Sequence, residues 1–207
     1  MQNDSKGDFT EIRPTSLEWF AVYTRHQHEG KVALRLAERD FEIFYPTYTE
    51  LRRWKDRRKE ITLPLFPGYV FFRGPLKSHL PILMTPGVQF IVSTGRSPAA
   101  IPEEQLEGLR RASHHRLSLE PFPFLNAGDR VRVTRGPLAG IEGWLARKKD
   151  ALRLVLSIDI LGRSAGVEID ASDVRPCETL KMPREAFALA HSESSRHGSD
   201  THSIQYG

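Results

Sequence analysis

Lys31, Arg35 and Arg39 recur every fourth residue in HEGKVALRLAERD, which lines one side of a helix with positive charge beside the apolar Val32 and Leu36. A second basic group is RRWKDRRK, residues 52 to 59, where six of eight residues are Lys or Arg and Asp56 is the only acid. Both groups suit a phosphate backbone, where each neutralised phosphate releases counterions and binding weakens with salt. Both equally describe a solvated helix face and a solvated loop tip. The stretch LPLFPGYVFF, residues 63 to 72, holds four aromatics, two prolines and a glycine in ten residues. It reads either as a buried strand entered through a Pro-Gly turn or as an apolar docking surface.

Residues that could catalyse or bind metal are not grouped in this way. The pairs His26/His28 and His114/His115 lack a second cysteine or an acidic cluster at ligand spacing, so no metal is expected. The sequence contains no G-x-S-x-G, phosphate loop or dinucleotide fingerprint, and Cys177 stands alone beside Pro176. A non-enzymatic protein without a cofactor is expected. A single cysteine forms no internal bridge, no apolar run approaches the roughly 20 residues of a membrane span, and the N-terminus is polar. These features point to the cytoplasm. A formal net charge of +4 on 207 residues says less than where the charges cluster.

The elements that must carry these groups change character along the chain. WFAVY (19 to 23) is aromatic and β-branched, hence a strand, and residues 28 to 40 have helical spacing. FEIFYPTYTE and EITLPLFPGYVFFRG flank the basic run as a long hairpin with a charged tip. A short helix is expected between Leu76 and Met84, a strand at VQFIVS (88 to 93), and a helix at PEEQLEGLRRAS, which opens with proline and two glutamates. This order predicts an α+β domain with helices on an antiparallel sheet. LEPFPFLNAG (119 to 128) carries two prolines and no periodicity, marking a boundary with a linker at 119 to 125. Beyond it, VRV, LRLVLSIDI and VEI alternate between glycine turns, as in a small β-barrel. The polar segment from 177 to 207 is expected to be largely disordered, like residues 1 to 17.

Five segments in register resemble one family: WFAVYTR, PLFPGYVFF, TPGVQFIVSTGRSPAAIP, GDRVRVTRGPLAGIEGWLA and SIDILGRSAGVEIDASDV. They resemble the NusG family of transcription elongation factors, with an N-terminal domain at 18 to 118 and an SH3-like KOW barrel at 126 to 176. RWKDRRK combined with PLFPGYVF and TPGV is similar to the specialised UpxY and RfaH antitermination paralogs. The resemblance implies that Phe66, Pro67, Tyr69 and Phe71 build a pocket for the clamp helices of the RNA polymerase largest subunit. It also implies that Arg25, Lys31, Arg35 and Arg39 face the non-template DNA strand of the transcription bubble. Leu138, Ile141 and Trp144 would form the barrel's surface for Rho or a small-subunit ribosomal protein. Departures exist: Pro86 precedes Gly87 where the RfaH pattern has arginine, and Ser78, His79, Leu80 and Pro81 replace its His-Thr-Thr element. The family's usual aromatic near Ile141 is absent. The expected function is suppression of pausing or termination. The alternatives are a general NusG coupling polymerase to Rho or ribosome, and a KOW-containing ribosomal or ribosome-assembly protein.

Overall fold

The computed structural model describes residues 17–39, 41–53, 58–75, 79–125 and 128–177. The expected flexible N-terminus up to residue 16, the hairpin tip Trp54 to Arg57, Ser78, and the expected tail from residue 178 lie outside the described residues. The sheet of the N-terminal region is built on β1 (Glu18–Thr24), whose run Trp19 to Val22 is buried throughout. A strand apolar on both faces belongs in the middle of a sheet, with a covering layer on each side. It pairs antiparallel with β5 (Tyr69–Gly74) and β6 (Val88–Ile91), and β2 (Glu42–Phe44) extends the sheet to the order β2-β5-β1-β6.

Alternation along these strands assigns their side chains to two layers. Phe20, Val22, Val70 and Phe72 pack with Val32 and Leu36 of α1 (Glu29–Ala37) and Ile82 of α2 (His79–Leu83). Trp19, Ala21 and Phe71 point the other way, into a cluster with Leu106, Leu109 and Ala112 of α3 (Glu103–His114). Glu103 and Glu104 occupy the first turn of α3 and Arg111 its last, each charge opposing the helix dipole.

The long hairpin expected around the basic run is divided. Its inner parts, β2 and β5, belong to the main sheet, whereas β3 (Thr47–Arg53) and β4 (Arg58–Pro64) form a separate two-stranded ribbon. The break falls at Pro46, which has no N–H for a ladder; its carbonyl instead accepts from Leu65 N at 2.9 Å. The strand expected at 88 to 93 is likewise divided into β6 and the short pair β7 (Ser93–Thr94) and β8 (Ser97–Pro98).

The C-terminal region is all-β. Strands β9 (Leu119–Phe122), β10 (Asp129–Val133), β11 (Glu142–Lys148), β12 (Ala151–Ile158), β13 (Arg163–Glu168) and β14 (Val174–Pro176) form one antiparallel sheet in the order β14-β10-β11-β12-β13-β9. Val131, Val133, Leu154, Ile158 and Val167 are buried in it. Residues 119 to 122, expected within the linker, are the edge strand β9, paired with β13 from Leu119↔Val167 to Ser164↔Phe122. Pro121 conceals this strand in the sequence, and an edge is the place where a sheet tolerates proline.

Glu120 ties β9 to its neighbours, with Lys148 Nζ at 2.5 Å and Arg153 Nε at 2.7 Å. Burial alone would raise this carboxyl, but hydrogen bonds from Lys148 and Arg153, with their charges, outweigh burial and hold it below its ordinary range. A depressed folded-state value means that the stabilisation is present above the unfolded carboxylate range and is lost as pH falls through the folded value. Glu120→Gln should therefore lower the urea midpoint at neutral pH, and its difference from the parent should shrink once pH drops below about 4. An equal difference at pH 7 and pH 3 would reject this role.

Candidate functional site

The ladder brings Tyr23 of β1 opposite Tyr69 of β5 on one side and Phe90 of β6 on the other. Their side chains share one face. Tyr23 and Phe90 stack with centroids 5.0 Å apart at 22°, and Tyr69 meets Tyr23 edge-on at 5.2 Å. Phe90 is 50% exposed, Tyr23 and Tyr69 are partly exposed, and Pro67 beside them is exposed. An open aromatic row of this kind offers large apolar area at low entropic cost.

Phe66 and Phe71 correct the expectation, since neither reaches the surface. They are 2% and 0% exposed and pack edge-on against each other at 5.7 Å, with Phe44 a further 5.9 Å from Phe71. They belong to the buried cluster against which Tyr69 packs, and Phe71 lies further along the sheet face that carries the row. Of the four residues expected to face a partner, Pro67 and Tyr69 are placed to do so. Tyr23 and Phe90 were missed, although WFAVYTR and VQFIVS each put an aromatic at a strand position that alternation can turn outward.

The basic stripe divides in a different way. Arg35 Nη1 donates to Pro86 O at 2.7 Å, and Arg39 Nη1 to Pro81 O at 2.5 Å and Thr85 Oγ1 at 3.2 Å. The two guanidiniums thus fasten α1 and the turn after it to α2 and to the segment between α2 and β6. Arg25 and Lys31 are exposed and make no side-chain hydrogen bond or ion pair among the described residues. Further along the surface, Arg52, Arg53, Arg58 and Lys59 are exposed at the described end of the β3–β4 ribbon.

In the all-β region, Leu138 and Ile141 are 2% and 8% exposed, which corrects their assignment to an open surface. The reason is α3. A Cβ placed on Gly108 would lie 2.9 Å from Ile141 Cγ2 and 3.0 Å from Leu156 Cδ1, so the helix and the sheet approach to the distance only glycine allows. Arg111 Nη1 donates to Ala139 O at 2.8 Å, and Gln105 exchanges two hydrogen bonds with Asp159. Trp144 remains partly exposed, with the Arg130 guanidinium 5.9 Å from its ring. Gly108 was the available signal, because glycine inside a helix costs about 1 kcal/mol relative to alanine and calls for a packing reason.

Residues 17–110 match the family model described as "Transcription termination factor nusG". These residues are a NusG-family domain. A Transcription termination/antitermination protein NusG from Thermus thermophilus is 26% identical, over 77% of this chain and 98% of that protein. The protein of the same name from Pasteurella multocida is 28% identical, over 77% and 95%. The solved structure of Thermotoga maritima NusG is also similar, at 22% identity and a TM-score of 0.46, covering 79% of this chain and 98% of that one. The aromatic row and the basic stripe both lie within the NusG domain, and both relatives match a larger share of the chain than that domain.

Among the described residues, no group of three His, Cys, Asp or Glu side chains could hold a metal ion, and no helix is long and apolar enough to cross a membrane. The two histidine pairs interact locally: His28 Nδ1 lies 3.0 Å from His26 O, and the rings of His114 and His115 meet edge-on at 5.1 Å.

The division of the stripe is measurable in the NusG domain. Arg39→Ala should cost about 1 kcal/mol of stability by losing charged hydrogen bonds to the segment before β6. Lys31→Ala should stay within about 0.5 kcal/mol of the parent. Urea unfolding of both variants checks this, and equal midpoints would count against a structural role for Arg39.

Proposed function

We propose that this NusG-type transcription factor is a specialised antitermination regulator of the UpxY/RfaH kind. In this reading the NusG domain docks on the clamp helices of the RNA polymerase largest subunit and steadies the non-template strand of the bubble. The observation that carries it is the open row of Phe90, Tyr23 and Tyr69 beside Pro67, an apolar strip on a rigid sheet. A pair of helices offers complementary ridges of side chains, and aromatic anchors dominate such contacts. Arg25 and Lys31 supply the electrostatic arm toward DNA, with Arg35 and Arg39 adding charge from positions already fastened to the fold. Bound across the cleft, the protein lowers the population of paused states to the extent that it binds the closed clamp more tightly than the open one.

The second reading is a general NusG that couples polymerase to Rho or a ribosomal protein, and the names of the relatives favour it. The burial of Ile141 under α3 weighs on the other side. A partner using that residue must first separate the sheet from the helix, whereas docking through the aromatic row requires no such step. A KOW-containing ribosomal protein has no comparable use for a complete NusG domain.

Two measurements test the proposal. Tyr69→Ala and Phe90→Ala should each weaken binding to a clamp-helix fragment by about 2 kcal/mol, roughly thirtyfold, with the circular dichroism spectrum preserved. Undiminished binding by both folded variants would remove the row as the docking site. In transcription with the cognate polymerase, the full chain should reduce pausing and fail to stimulate Rho-dependent release. Faster release with Rho would transfer the assignment to the general factor.

A further inference from the structure

Glu29 is 4% exposed, a burial that a carboxylate tolerates only with a partner. Its partner lies across the fold: Gly68 N donates to Glu29 Oε1 at 2.8 Å. The other side of the same glycine is also held, because Gly68 O accepts from Thr24 N at 2.8 Å and from Thr24 Oγ1 at 3.4 Å. Gly68 has φ +86°, and a Cβ there would sit 2.7 Å from Tyr23 Cε2. The turn closes with Tyr69 N donating to Phe66 O at 3.1 Å. Thus one residue, Gly68, between the exposed Pro67 and the first residue of β5, rests against the central ring of the aromatic row, and the two peptide groups that flank it are gripped from the first turn of α1 and the end of β1.

We propose that Glu29 is a positioning residue, whose buried carboxylate holds the Pro67–Gly68 turn so that Tyr23, Tyr69 and Phe90 meet an apolar helical partner in one fixed arrangement. This inference rests on the docking role proposed for the row. Neither the basic stripe nor the hydrophobic pattern calls for an acid at this point, since Val32, Ala33 and Leu36 already provide the apolar face of α1. Helix packing alone would accept an apolar residue at position 29. The Gly68 N–H would not, because its only acceptor among the described residues is that carboxylate, and a buried amide without one is disfavoured.

The test uses the full chain with Glu29→Gln, which keeps an acceptor oxygen, and Glu29→Ala, which removes it. Glu29→Asp, shorter by one methylene, replaces the alanine variant if that one does not fold. Amide hydrogen exchange at Gly68 and affinity for a clamp-helix fragment are measured on each. Loss of the acceptor should speed Gly68 exchange and weaken binding, each by about tenfold or more, while amides of β1 and α1 stay protected. Glu29→Gln should remain within about threefold of the parent in both. Unchanged Gly68 exchange in the acceptor-free variant overturns the hold on the turn. Faster exchange with unchanged affinity overturns its link to docking, as does a glutamine variant as impaired as alanine. If the parent itself does not bind the fragment, the docking reading fails, and the exchange data alone decide whether Glu29 holds the turn.

Discussion

The antiparallel register of β1 against β5, running from Glu18↔Gly74 to Tyr23↔Tyr69, decides where Tyr23 and Tyr69 point. Away from the row both strands are covered on both faces, so each residue there belongs to one of two layers with no solvent side to absorb an error. A slip of one residue would send Phe20, Val22, Val70 and Phe72 toward α3 and turn Tyr23 and Tyr69 under α1. The outward aromatic row is therefore a by-product of correct core packing. Its open part lies at the end of the ladder, where α3 no longer covers the sheet, and the Pro67–Gly68 turn sits at the same end.

Charge serves two purposes in this chain, and the geometry separates them. Arg35 and Arg39 reach backbone carbonyls at Pro86 and Pro81, where a hydrogen bond from a charged donor contributes more than a surface ion pair would. Arg25 and Lys31 have no such attachment among the described residues, and their charge is left exposed to solvent. Both kinds of residue look alike in the sequence because helical spacing reports only which face they share. On the ribbon, exposed Arg52, Arg53, Arg58 and Lys59 extend the same field away from the body of the domain.

The contact of α3 with the all-β region follows from sharing one apolar cluster, in which Leu106 and Leu109 meet Ile141, Leu154 and Leu156. Burial of apolar area at about 25 cal/mol per Å² favours this closure over two separately hydrated surfaces. Gly108 permits the close approach, and the Arg111 and Gln105 hydrogen bonds set its orientation. Access to Ile141 is consequently coupled to the integrity of that interface.

The sequence by itself determined the element types, the α+β region followed by an all-β one, and the family, because hydrophobic periodicity and glycine or proline punctuation are local properties. WFAVY, the helix at PEEQLEGLRRAS and the strand at LRLVLSIDI were legible for that reason. It also placed Pro67 and Tyr69 at the candidate site. Only the tertiary structure decided that Phe66 and Phe71 are buried while Phe90 and Tyr23 complete the row, since how much of a strand face is covered depends on elements distant in sequence. Likewise, the proline-rich stretch after Ser118 became strand β9 because β13 offered an open edge, and Ile141 became buried because α3 came to rest on it. The Glu29–Gly68 bond joins residues 39 positions apart, and neither residue alone carries a sign of the other. Contacts of this kind arise from how layers close on one another, a global outcome that no local pattern encodes.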